Sequence, residues 1–242
     1  MDDNSREIKR SIREHVWRLL EEESVAVFPL PVRGRIPNFK GAERAAAQLC
    51  STKEYAAARV VKVNPDSPQR EVRLRCLMDN KILIMPTPRL RDGFLLIHPS
   101  KIPRIGLREA ATIKGAFAYG RKTHPSELPN IDLIVIGSVA VSKDGDRIGK
   151  GEGYAELEYG ILREFGKVSD DTPIHTTVHE LQIVESIPRE PYDVTVDAIF
   201  TPSRTIAIKG ERNRPLGILW DLLPRRKIRE IPLLEQLYRE RG

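Results

Sequence analysis

The 242-residue sequence has only 2 cysteines, Cys50 and Cys76, and they do not form a C-x-x-C pair. That excludes a disulfide-stapled scaffold and a cysteine-held zinc site, and reads as two reduced thiols. No apolar run reaches the roughly 18 residues that a membrane-spanning helix needs. The opening stretch MDDNSREIKRS is charged and has no apolar core, so it does not read as a secretory signal. A cytoplasmic location without membrane contact is the expectation. Internal repeats, low-complexity segments and a Pro/Gly/Ser-rich linker are all lacking. One domain over residues 1–242 follows, closed by a basic amphipathic helix over 225–242.

What is present is charge and alternation. The net charge of +6 favours anionic partners: a nucleotide, a polyglutamylated coenzyme or RNA. RNA has no recognition motif here to support it. The C-terminal LPRRKIREIPLLEQLYRERG carries Ile231, Leu234, Leu237 and Tyr238 at helical spacing beside a basic face. Near the start, Ile8, Ile12, Val16, Leu19 and Leu20 predict a helix over 5–22. Lys9 and Arg13 stand one turn apart on it and project together. FPLPVRGRIPNFKG is a proline-punctuated loop crowded with Arg33, Arg35, Asn38 and Lys40, and GAERAAAQLC is a second helix.

AARVVKV (57–63) and KILIMPTP (81–88) read as strands around the turn NPDSPQ, and GFLLIHP as an edge element. IDLIVIGSVAVS (131–142) suits one central strand buried on both faces. A helix over Tyr154–Phe165 follows, then strands in DTPIHTTVHELQIVESIP, DVTVDAIFTP and RTIAIKG. Strands alternating with helices predict an α/β domain with a mainly parallel sheet.

DGDRIGKGEGYAEL (144–157) joins the long apolar run to the helix. Glycines let backbone approach a phosphate, and free N–H groups at a helix start point toward it. Arg147 and Lys150 add positive charge, and Glu156 in the first turn can hold magnesium. The run is neither the Walker pattern nor G-x-G-x-x-G, so a plain tight turn stays open beside a phosphate site. Ser138 lacks the nucleophile-elbow context. His124 reads as a loop histidine, while His175 and His179 share a strand face without a third metal ligand. Trp17 and Trp220 read as packing residues.

DLIVIGSVAVSKDGDRIGKGEGYAELEYGIL resembles the signature of the 5-formyltetrahydrofolate cyclo-ligase family, in which an apolar strand enters a G-x-R-[LI]-G-x-G-x-G-Y-Y-D loop. KRSIR (9–13) resembles that family's opening Lys-x-x-x-Arg, and ELQIVESIPREPYDVTVDAIFT (180–201) its closing strand pair. PVRGRIPNFKGAERAA, VKVNPDSPQ and PTPRLRDG are similar to the methenyltetrahydrofolate synthase domain-containing group. In vertebrates that group carries an added RNA-recognition module, for which this sequence has no motif.

The resemblance implies a single Rossmann-like three-layer α/β domain of the ribose-isomerase and CoA-transferase type. It also implies ATP- and Mg2+-dependent cyclisation of 5-formyltetrahydrofolate, or a related formyl pterin, to the 5,10-methenyl form with release of ADP and phosphate. Lys9, Arg13, Arg147, Gly149, Lys150, Gly151, Gly153 and Tyr154 are then the nucleotide-binding residues, with Arg147 and Lys150 catalytic. Glu156 and Asp193 are the metal carboxylates. Asp66, or Glu71 nearby, stands where the family holds its folate with a glutamate, but without the family's threonine. Ala155 replaces the family's second tyrosine and Glu156 its aspartate.

Glu152 is out of place in such a loop. Two like unit charges at about 4 Å repel by about 4 kcal/mol at an effective dielectric near 20, so Arg33 or Arg35 is expected to pair with it. Two other readings stay open: a non-catalytic nucleotide- or RNA-binding domain of this fold, and an enzyme acting on another phosphate-bearing substrate.

Overall fold

The computed structural model describes residues 3–241. In chain order the elements are α1 (Asp3–Glu22), α2 (Ala42–Cys50), α3 (Lys53–Ala57), β1 (Val60–Val63), α4 (Arg70–Met78), β2 (Ile82–Pro86) and β3 (Phe94–Ile97). Then come α5 (Leu107–Ala110), α6 (Ile113–Tyr119), β4 (Arg121–Thr123), β5 (Leu133–Ile136), β6 (Ala140–Ser142), β7 (Arg147–Ile148) and α7 (Tyr154–Glu164). The last are β8 (Ile174–Thr177), β9 (Ile183–Val184), β10 (Ala198–Phe200), β11 (Thr205–Ala207), α8 (Arg225–Glu230) and α9 (Pro232–Glu240).

An 8-stranded sheet in the order β11-β10-β8-β5-β1-β2-β3-β4 forms the middle layer. The central strands β10, β8, β5, β1 and β2 are parallel, and antiparallel strands finish both ends. The parallel strands are near-continuous apolar runs because both faces are covered. Val60, Ile84, Ile134 and Ile136 pack with Leu157 and Ile161 of α7 on one side. Val61, Val63, Leu83 and Val135 pack with Leu49 of α2 and Leu77 of α4 on the other. The expected three-layer α/β architecture with a mainly parallel sheet is what forms.

From β1 the chain steps one way to β2, and it later returns to β5 on β1's other side. The carboxyl ends of β1 and β5 therefore flank a topological switch point, where open α/β sheets hold their ligands. Asn64 and Asp66 lie just past one strand, Gly137 and Ser138 just past the other.

Four local expectations are corrected. The run 131–142 is two strands, not one: β5 lies in the main sheet and β6 in a 3-stranded sheet, β7-β6-β9. At the break, side chains take the backbone carbonyls. Thr176 Oγ1 donates to Ile136 O at 2.8 Å, Arg147 to Gly137 O at 2.9 Å and Gln182 Nε2 to Ser138 O at 2.9 Å. A Cβ at Gly137 would stand 3.1 Å from Asp66 Oδ2, Gln69 Oε1 and Ile36. GFLLIHP is no edge, because β4 pairs beyond it. The stretch around IHTTVHELQIV splits into β8, a helical turn at Glu180–Gln182 and β9, so His175 and His179 do not share a strand face. His175 is buried against Phe200, while His179 caps the turn by accepting from Leu181 N. The basic C-terminal helix is two helices, because Pro232 has no N–H to carry α8 onward.

The helix α4 shows no clean apolar stripe because Arg73 is on its buried side. Arg73 donates to the carbonyls of Ala111 at 2.9 Å and Asp66 at 3.0 Å, and also to that of Asn64. Beneath the switch point lies a second buried charge. Lys62 of β1 donates to Glu158 of α7 at 2.5 Å and to Asn64 at 3.0 Å, with Lys62 only 1% exposed. Among the described residues, no helix is long and apolar enough to cross a membrane, and both cysteines are free.

Candidate functional site

The small sheet places the glycine loop. Its hairpin β6–β7 turns at Gly145, packs against α1 through Val139, Ala140 and Ile148, and delivers Arg147 into the interior. Arg147 donates to Gly137 O, forms an ion pair with Glu156 and leaves its buried Nε without a partner. Burial lowers its pKa to about 10, so it stays a cation at neutral pH.

The loop Gly149–Gly153 then wraps toward α1. Arg13 Nε donates to Gly149 O at 2.8 Å. Gly151 has φ +100°, and a Cβ there would stand 3.4 Å from the Arg13 guanidinium carbon. Gly153, at φ +67°, opens α7 without a side-chain cap. The first N–H groups of that helix are therefore left for a partner from outside it.

Lys9, also on α1, donates to Asp193 at 2.5 Å and lies 5.5 Å over the Tyr192 ring. Arg13 has its pKa lowered by burial, against the opposing pull of Tyr192 and Asp193. Burial, reinforced by Asp193, raises Tyr192 to about 12. These groups line one cleft of about 600 Å³, within the roughly 300–1,000 Å³ of small-molecule sites. Lys9, Arg13, Arg147, Gly149, Lys150, Gly151, Gly153, Glu156 and Asp193 all border it. Tyr154 stands at its edge under the Lys227 ammonium, 4.3 Å from the ring centre.

Glu152 does not meet Arg33 or Arg35 as its partner of choice. Arg33 pairs with Glu14 at 2.9 Å. Glu152 turns instead to Lys150 at 3.2 Å and Arg89 at 3.8 Å. Arg89 reaches it from a loop whose Arg89 and Leu90 both adopt positive φ, a conformation that ordinary side chains avoid. The two acidic site residues are likewise taken up by cations, Glu156 by Arg147 and Asp193 by Lys9. Among the described residues no cluster of three or more His, Cys, Asp or Glu forms a metal cage.

Asp66 lies at the switch point, beside Gln69 Oε1, which is buried without a hydrogen-bond partner. Burial raises the Asp66 pKa, and Lys150 is near enough to pull it back down. Glu71 is in the first turn of α4, and neither Asp66 nor Glu71 is among the residues that line the cleft.

Sequence reasoning missed Arg6, Arg10, Tyr192 and Lys227, all of which line the cleft. A signal existed for the first two: positions 6, 9, 10 and 13 follow helical spacing, so the cationic face of α1 is wider than one pair. For Lys227 there was none, since it comes from the distant α8 and donates to the Glu152 carbonyl.

The sheet and the crevice beside its switch point define an α/β protein with a ligand-sized cleft lined by cationic side chains. The chain belongs to the 5-formyltetrahydrofolate cyclo-ligase family, whose model matches residues 5–202. It is 44% identical over 234 residues to the methenyltetrahydrofolate synthase domain-containing protein of Bos taurus, covering 95% of this chain and 61% of that one. With its Mus musculus counterpart it shares 44% identity over 238 residues, 96% of this chain and 63% of that one. The chain thus spans less than two thirds of the length of these relatives. Its fold is similar to the NMR structure of Aquifex aeolicus 5,10-methenyltetrahydrofolate synthetase, with a TM-score of 0.52, 19% identity, and coverage of 85% of this chain and 95% of that one.

Proposed function

We propose that this chain is a ligase that closes 5-formyltetrahydrofolate, or a related formyl pterin, to its 5,10-methenyl form at the expense of ATP. The observation that carries the reading is the convergence of Lys9, Arg13, Arg147 and Lys150 with the glycine loop in one cleft beside the switch point. Phosphoryl transfer requires positioning and charge neutralisation more than a protein nucleophile. The formyl oxygen takes the γ-phosphoryl group and ADP leaves. N10 then bonds to the activated carbon, phosphate departs with that oxygen, and N10 gives up its proton.

In this reading the loop N–H groups and the α1 cations hold the triphosphate, while Arg147 faces the transferring group. The half-buried Asp66 and the buried, unpartnered Gln69 Oε1 beside it suit the N–H donor edge of a pterin. Magnesium, when bound, supplies further neutralisation of phosphate charge. Glu156 and Asp193 would hold it, and two carboxylates completed by phosphates and water are an ordinary magnesium set. Both carboxylates first neutralise buried cations, so ligand binding amounts to an exchange of partners: cations to phosphate, carboxylates to metal.

The test is to mix the protein with ATP, magnesium and 5-formyltetrahydrofolate and follow the methenyl product by absorbance. Product that depends on ATP supports the reading. ATP binding without product favours the second reading, a nucleotide- or RNA-binding domain without catalysis, for which the closed Arg147–Glu156 and Lys150–Glu152 pairs speak.

A further inference from the structure

The family match ends at residue 202, yet the cleft does not. Its far wall comes from residues 215–227, where Leu219, Leu222, Leu223, Pro224 and Lys227 border the same space as the glycine loop. This segment is firmly seated. Ile218, Trp220 and Ile228 belong to the core shared with α7. Ile218 N donates to Glu164 at 3.1 Å, and a Cβ on Gly160 would come within 3.0 Å of Gly217 O. Backbone therefore lies directly on α7. At the loop end, Lys227 donates to the Glu152 carbonyl and covers the Tyr154 ring. Burial lowers its pKa, opposed by Glu152 and Glu230.

The cleft is consequently two-ended. Cations of α1 and the loop crowd around Gly149–Gly153, whereas Leu157, Leu219, Leu222 and Leu223 line the part along α7. From Gly153 to Gly160 the helix rises about 10 Å, the kind of distance that separates a triphosphate from its base. Leu222 remains 41% exposed, an apolar side chain at the cleft that still offers surface to a ligand.

We propose that residues 215–227, beyond the family match, form the nucleobase wall of the cleft: Leu219, Leu222 and Leu223 pack on the base and Lys227 ties the wall to the phosphate loop. This rests on the reading that the cleft takes ATP, and it adds which residues recognise the base.

The test is isothermal titration of the full chain and of Leu222→Asn and Leu219→Asn, each with ATP, inorganic tripolyphosphate and 5-formyltetrahydrofolate. Leu222 is exposed enough that its variant should unfold at the wild-type temperature. ATP affinity should fall about tenfold, in line with losing apolar contact to a buried ring, while tripolyphosphate affinity stays put. Unchanged ATP affinity in both variants overturns the proposal, as does an equal loss for ATP and tripolyphosphate. Weaker 5-formyltetrahydrofolate binding with ATP intact assigns the wall to the pterin and also overturns it. A wild-type chain that binds tripolyphosphate as tightly as ATP sinks this inference alone. One that binds neither sinks the ATP reading and this one with it.

Discussion

Asp193→Asn is the substitution that probes the exchange of partners most directly. Lys9 is 5% exposed and its ammonium meets Asp193 at 2.5 Å. Asparagine keeps the size of the side chain and an oxygen to accept from Glu190 N, which Asp193 does at 2.7 Å, so packing is preserved and only the charge is lost. Breaking a buried ion pair from one side costs about 3–5 kcal/mol, because the other charge is left uncompensated. At roughly 2–4 °C per kcal/mol for a chain of this size, the midpoint should drop by roughly 6–20 °C.

Magnesium-free tripolyphosphate brings negative charge back to Lys9. In the wild type it must displace Asp193, whereas in the variant it need not. Its stabilising thermal shift should therefore be larger in Asp193→Asn than in the wild type. Scanning fluorimetry with and without tripolyphosphate reads both quantities. A loss under about 1 kcal/mol, or an equal ligand shift in the two proteins, would refute the reasoning.

Three further outcomes follow from the same geometry. Lys62→Met strands Glu158 beneath the switch point and should cost about 3–5 kcal/mol in urea unfolding, with Lys62→Met/Glu158→Gln, which removes the charge but keeps an acceptor for Asn64 Nδ2, recovering most of it; failure of the double variant to recover would deny that unpaired charge is the cause. Glu152→Gly releases Lys150 and Arg89 and removes a negative charge from the loop. As these side chains are partly exposed, ATP affinity should stay level or rise by at most about fivefold, and a large loss on titration would sink the repulsion argument. Burial pushes His175 down to about 4, so the folded chain keeps it neutral. Stability from this group is complete above about pH 6.5, and as pH falls toward 4 the unfolded chain protonates first, removing up to about 1.4 kcal/mol per pH unit. Urea unfolding between those limits should show that slope, and His175→Phe should flatten it.

Several parts of this chain were legible before any tertiary structure. Helical spacing alone sets Lys9 and Arg13 on one face of α1, and the glycines of 145–153 mark a tight turn between strand and helix. Buried strands and the amphipathic α7 follow from local periodicity, which side-chain direction enforces. Hidden from that logic were the places where a polar side chain does a backbone's work. Arg73 masks the period of α4, and Thr176, Arg147 and Gln182 break what reads as a single strand at 131–142.

The tertiary structure alone decided the charge pairing. Glu152 answers to Lys150 and Arg89, Asp193 to Lys9 across 184 positions, and Lys227 to the loop from 75 positions away. Residue type and spacing specify which chemistry a segment can offer. Which charges neutralise one another, and which wall faces the glycine loop, depends on distances through space that only the packed sheet and helices create.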